Sequence, residues 1–149
     1  MMNDIARYLT SGTFIDSESP QVIVFANQTI IGANNTSGAV LRLYHTIRDT
    51  IIYDPYVNFA DPAYYRASGV LAFGRGFCIG KSALLAASAR VIGVPARVGY
   101  ADVRNHLTSP RLYEKIKTDI FYDSSLKWQK VNFDVLRLFC DGELLHLRS

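Results

Sequence analysis

A chain of 149 residues, 49% hydrophobic and 19% charged, has the composition of one globular domain able to bury a core, not that of a disordered chain. Its net charge of +3 comes from scattered basic residues, with Arg111, Lys115 and Lys117 the nearest to a cluster, so nothing points to nucleic acid. The start, Met1-Met2-Asn3-Asp4-Ile5, is not a basic segment leading into an apolar stretch, and no apolar run approaches the ~20 residues of a bilayer span; the expectation is a cytoplasmic protein without a membrane partner.

The elements follow in chain order, with no internal repeat and no low-complexity segment. Ser17-Glu18-Ser19-Pro20 predicts a helix start ahead of Val22, Val24, Phe25 and Ile30. Asn34 to Gly38 reads as a loop. Val40, Leu41, Tyr44, Ile47 and Ile51 then recur at helical spacing, and Pro55 stops that helix after Tyr53-Asp54. Residues 54–69 read as an ordered, tyrosine-rich loop. Its Tyr53, Tyr56, Tyr64 and Tyr65 either pack against a cleft or anchor the loop with solvated hydroxyls. Val70-Leu71-Ala72-Phe73 reads as a short apolar strand. The run Ile79 to Ile92 is rich in alanine and leucine and apolar on most sides, which predicts a buried central helix capped by Gly93. Later strands are expected over Val94–Asp102, Asp119–Tyr122, Leu126–Val131 and Val135–Phe139, with a short helix over Pro110–Ile116. Helices first and strands late give an α+β fold class.

Cys78 is the residue that points to chemistry. Gly74 and Gly76 permit a tight turn before it, and it stands at the first turn of the central helix, where unpaired N–H groups favour negative charge. Lys81, three residues on, lies one turn away on the same face. Both effects favour a thiolate. The competing reading is a small buried apolar residue, the commonest state of such a cysteine. The second cysteine, Cys140, reads as a strand-end residue without a role, and the two are expected as thiols rather than as a disulfide. Gly80-Lys81-Ser82 also resembles a phosphate-binding loop, but that loop needs a glycine five residues before Gly80, where Arg75 stands.

The stretches Tyr65-Arg66-Ala67-Ser68-Gly69-Val70-Leu71, Gly74 to Ala87 and Arg90-Val91-Ile92-Gly93-Val94-Pro95-Ala96-Arg97 resemble the transglutaminase-like superfamily of papain-related domains. Ile51 to Tyr56 and Gly99 to Leu107 are similar to a prokaryotic branch of it. The resemblance runs from about residue 40 to 122. It implies N-terminal helices and a Cys-bearing central helix packed on a small antiparallel sheet. It also implies a Cys-His-Asp triad with Cys78 as nucleophile. The histidine would follow Thr118 to Tyr122, yet Asp123-Ser124-Ser125-Leu126 stands there, and Trp128 to Val131 resembles the strand that normally comes next. The histidine-bearing strand thus reads as deleted or as not captured in this chain, in a single domain truncated or internally shortened after about residue 122.

Three histidines exist. His45 falls on a polar helix face and His146 in an expected frayed tail, leaving His106 as candidate base, with Asp102 or Asn105 to orient it. Gly76, Phe77 and Lys81, around the nucleophile, are the expected substrate contacts. No cofactor or metal is expected, because isolated histidines and two distant cysteines have no ligand spacing. The expected activity is a cysteine hydrolase or acyltransferase on a protein or peptide substrate. The alternatives are a catalytically degenerate relative that binds peptides or proteins, and a nucleotide binder built on Gly80-Lys81-Ser82.

Overall fold

Pro20 starts the first long helix, α1 (Pro20–Thr29), from an extended Ser19, and its fixed φ suits that first position. The structure is a computed structural model. It describes residues 5–98 and, farther on, the backbone of strands at Asp102–Arg104, Ile120–Tyr122, Arg137–Cys140 and Glu143–His146. Helix α2 spans Thr36–Thr50 and begins earlier than the sequence suggested, because the Asn35 side chain accepts a hydrogen bond from the Gly38 N–H at 2.7 Å and caps it. Leu43 rather than Leu41 is the buried leucine of this helix, alongside Val40, Tyr44 and Ile47.

Val70-Leu71-Ala72-Phe73, read above as a strand, forms helix α3 (Ala67–Phe73). A four-residue apolar run does not distinguish the two by periodicity. The deciding contacts are distant in sequence. The Asp16 carboxylate accepts from the Ser68 N–H at 3.1 Å, and the Ala67 N–H donates to the Phe14 carbonyl at 2.8 Å. Gly74, at φ 64°, ends α3 by donating back to the Val70 carbonyl at 3.0 Å.

Two short strands, β1 (Ile52–Tyr53) and β2 (Arg75–Gly76), then pair in parallel, Ile52 opposite Arg75 and Tyr53 opposite Gly76. Helix α4 (Cys78–Val91) follows at once. Ala83, Leu84, Leu85, Ala86, Ala87 and Ala89 are all buried, as its near-uniform apolar surface predicts. It packs against α1, α2 and α3, and each leucine so buried contributes about 1.5–3 kcal/mol. Its C-terminus closes with the Val94 N–H on the Ala89 carbonyl (2.9 Å) and the Gly93 N–H on the Arg90 carbonyl (3.0 Å), Gly93 standing at φ 80°.

Beyond it, β3 (Asp102–Arg104) pairs antiparallel with β4 (Ile120–Tyr122), and β5 (Arg137–Cys140) with β6 (Glu143–His146). The antiparallel pairing matches expectation; the parallel β1–β2 pair departs from it. His146 ends β6 opposite Arg137, which corrects its reading as a frayed tail. Val94 to Val98 form no extended strand; Ala96 instead donates to the Tyr8 carbonyl at 3.1 Å. The helix expected over 110–116 and the strand expected over 126–131 lie outside the described residues. No helix among the described residues is long and apolar enough to cross a membrane.

Two glycines set how closely α3 and α4 approach the Pro62–Tyr64 turn. A Cβ at Gly80 would overlap the Tyr64 carbonyl and the Val70 side chain, and one at Gly69 would overlap the Ala63 carbonyl. Alanine would raise helix propensity at both positions, by up to about 1 kcal/mol. The overlap with backbone outweighs that gain, so Gly80→Ala is expected to destabilise by at least about 2 kcal/mol in urea unfolding. Gly12→Ala, which meets nothing within 4 Å, is the control and should stay within about 0.5 kcal/mol. Equal midpoints for the two variants would remove the close approach as a constraint.

Candidate active site

Phe77 is the extended N-cap of α4, at φ −95° and ψ −177°, and its side chain offers no oxygen to the first turn. Helix N-termini carry unpaired amides and partial positive charge, so the position of Cys78, the first helical residue, favours a thiolate. Cys78 is 5% exposed and belongs to the core cluster that also holds Phe77, Leu84 and Leu85. Burial works against ionisation while the helix terminus works for it.

The turn before Cys78 is clamped. The Ile52 N–H donates to the Gly74 carbonyl at 3.0 Å and the Asp54 N–H to the Gly76 carbonyl at 2.9 Å. Arg75 pairs with Asp54 at 3.3 Å, and the same carboxylate accepts from the Tyr56 N–H at 2.9 Å. Gly76 is buried with Val70 methyls 3.1 and 3.2 Å from where a Cβ would stand, so its absent side chain serves packing. Phe77 meets Phe59 and Tyr65 edge to face, with ring centres 5.2 and 5.1 Å apart. Of the loop tyrosines, Tyr65 packs its ring on Phe77 and anchors the loop through its hydroxyl, which donates to the Phe59 carbonyl at 2.9 Å rather than to solvent alone.

Lys81 is 2% exposed, and its ammonium donates to the carbonyls of Ile51 (2.5 Å) and Arg48 (3.4 Å) at the C-terminal end of α2. It therefore joins two helix ends through these backbone oxygens. Gly80-Lys81-Ser82 lies wholly inside α4, and only Phe77 separates that helix from the two-residue strand β2, so the long loop that would cradle a phosphate is not built. Asp102 occupies β3 opposite Tyr122 of β4. His106 and Asn105, like residues 123–126, lie outside the described residues. His45 is exposed on α2, its ring edge-on to Tyr44 at 5.1 Å.

Residues 24–133 match the family model of the transglutaminase-like superfamily. The chain belongs to that superfamily. No match is found among the curated proteins. A solved structure of a candidate cysteine protease from Cytophaga hutchinsonii is similar over 99% of this chain, with a TM-score of 0.66 and 17% identity. At that identity the likeness is one of fold, a cysteine-protease-like α+β fold. This chain covers 42% of that protein's length.

Burial pushes the Lys81 ammonium down to about 8, against the opposing pull of the Asp49 carboxylate. A lysine with a folded pKa below its unfolded value of about 10.4 costs stability while charged. That cost is relieved as pH rises through about 8 toward 10.4, because the unfolded chain then binds more protons than the folded one. The stability of the parent chain relative to Lys81→Met is thus expected to increase between pH 7 and pH 10. Urea midpoints for the two proteins across that range test it, and a constant difference would contradict it.

Proposed function

We propose that this domain is a cysteine hydrolase or acyltransferase acting on protein or peptide amides through the thiolate of Cys78. The observation that carries the reading is the clamped Gly74–Phe77 turn, which delivers a cysteine to the first position of a buried 14-residue helix within a transglutaminase-like fold. The thiolate sulfur attacks the amide carbonyl carbon, and first-turn N–H groups of α4 hold the oxygen as it becomes an oxyanion. The C–N bond then breaks, and the amine leaves with a proton supplied by a general acid. Water or a second amine attacks the thioester and releases Cys78, which gives hydrolysis or acyl transfer. We assign the proton transfers to His106, oriented by Asp102. Gly76 and Phe77 would lie against the bound acyl group.

One specific observation favours a second reading, a non-catalytic relative that binds peptides: Asp123-Ser124-Ser125-Leu126 occupies the stretch where the family resemblance calls for histidine.

Alkylation by iodoacetamide separates the two readings, with Cys140→Ser as background. The enzyme reading expects Cys78 to react at a rate that persists well below the ordinary thiol pKa of about 8.5. It also expects His106→Ala to slow the reaction below that pH. With an activated ester, a mass shift equal to the acyl group should appear and vanish in Cys78→Ala. A rate that rises only near pH ~8.5, with no acyl adduct, would leave the binding module as the function.

A further inference from the structure

Strands β1 and β2 are two residues long each, and so short a pair is marginal on its own. One side chain extends it. Asp54 follows β1 and donates its N–H to the Gly76 carbonyl at 2.9 Å. Its carboxylate reaches in two directions: one oxygen meets the Arg75 guanidinium at 3.3 Å, and the other accepts from the Tyr56 N–H at 2.9 Å. The first contact holds β2, which runs through Gly76 into Phe77 and Cys78. The second is a local turn of the kind aspartate favours, and it directs the loop that goes on to Phe59.

These two segments meet again at Phe77. The Phe59 ring stands edge to face on it at 5.2 Å, and the Tyr65 hydroxyl holds the Phe59 carbonyl at 2.9 Å. Phe77 is the N-cap of α4, so its position sets that of the Cys78 sulfur and of the first-turn amides. Packing does not fix this helix start on every side: Ile79 and Ala83 floor a cavity of about 590 Å³ walled by Phe14 and Tyr65. The side chains of Asp54 and Arg75 are 21% and 50% exposed. Ion pairs that exposed add little to global stability, so what this one supplies is geometry.

We infer that Asp54 is a positioning residue for Cys78, its carboxylate fastening the strand that enters the nucleophile's helix to the loop that packs on Phe77. Asp54 takes no part in bond making or breaking; it acts through Arg75, Gly76 and Phe77. Its effect on rate rests on the reading of Cys78 as the acylated residue, while its effect on the turn does not. Three variants dissect it. Asp54→Asn breaks the ion pair and keeps an oxygen for the Tyr56 N–H. Asp54→Ala breaks both contacts. Arg75→Gln breaks the ion pair from the other side.

Acyl-enzyme formation is followed by mass spectrometry on the full chain bearing Cys140→Ser, over a range of p-nitrophenyl acetate concentrations. The acylation rate constant at saturation is expected to fall about threefold in Asp54→Asn and Arg75→Gln and at least about tenfold in Asp54→Ala, because small displacements of reacting groups are costly. The half-saturating ester concentration should not change. The double variant Asp54→Asn/Arg75→Gln should be no slower than either single one, since all three lose the same bond. Urea midpoints of Asp54→Asn and Arg75→Gln should stay at the parent value. Amide exchange at position 56, read by NMR, should quicken in Asp54→Ala. An unchanged acylation rate in Asp54→Ala, additive losses in the double variant, or unchanged exchange at position 56 overturns the inference. A parent chain that forms no acyl-enzyme removes Cys78 as nucleophile, and iodoacetamide then reads the position of its sulfur instead. In that case an altered Cys78 alkylation rate in Asp54→Ala, together with quickened exchange, upholds the positioning role, and an unaltered rate overturns it.

Discussion

The approach of Gly80 to the Tyr64 carbonyl is the constraint on which the rest of the architecture depends. It lets the first turn of α4 sit directly on the Pro62–Tyr64 turn and on Val70 of α3, with no side chain between. Everything proposed for Cys78 requires that helix start to be held at the edge of a packed core. The core supplies the position, and the helix terminus supplies the charge preference. Had any larger residue stood at position 80, the turn bearing Phe77 and Cys78 would have moved away from α3. The ring contacts of Phe77 with Phe59 and Tyr65 would then have opened.

Lys81 closes the same assembly from the other side. Carbonyls at a helix C-terminus lack intrahelical donors and carry partial negative charge. The Lys81 ammonium meets that need for α2 at the Arg48 and Ile51 carbonyls. Ile51 leads directly into β1, which clips β2 and so the turn before Cys78. A chain of bonds thus runs from Lys81 through the end of α2, across β1 and β2, and back to the helix that carries Lys81. Each link bears on where Cys78 sits. Lys81 therefore acts on the site by position, and its cost of burial is offset by the closure it completes.

How much of this was legible depends on whether the deciding contact was local. The Pro20 helix start, the buried α4 and its Gly93 cap rest on residues within a turn of one another, and each was readable. So was the parentage of the cysteine turn, since glycine, aromatic and cysteine follow in order. Helix α3 was not readable, because Asp16 and Phe14, some fifty residues earlier, supply its N-terminal partners. The role of Lys81 was half readable: its spacing put it on the face of Cys78, but its acceptors belong to α2. Nothing local marked the cavity either, since its wall comes from the segment around Phe14 and its floor from α4.

The segment around Phe14 is fastened to the rest of the molecule at several points. The Tyr8 carbonyl accepts from Ala96, the Thr10 carbonyl from Arg90 and the Thr13 carbonyl from Arg66, while Phe14 and Asp16 hold the start of α3. It is a strap with little regular structure, held by its own carbonyls to the helices beneath. A strap fastened through backbone oxygens leaves its side chains available, and Phe14 uses that freedom to stand half exposed against Tyr65 with ring centres 6.3 Å apart. The helices fix where Cys78 sits, and the strap shapes what lies beside it. Changes in strap side chains would therefore alter the shape of the cavity while leaving the placement of Cys78 to Gly80 and Lys81.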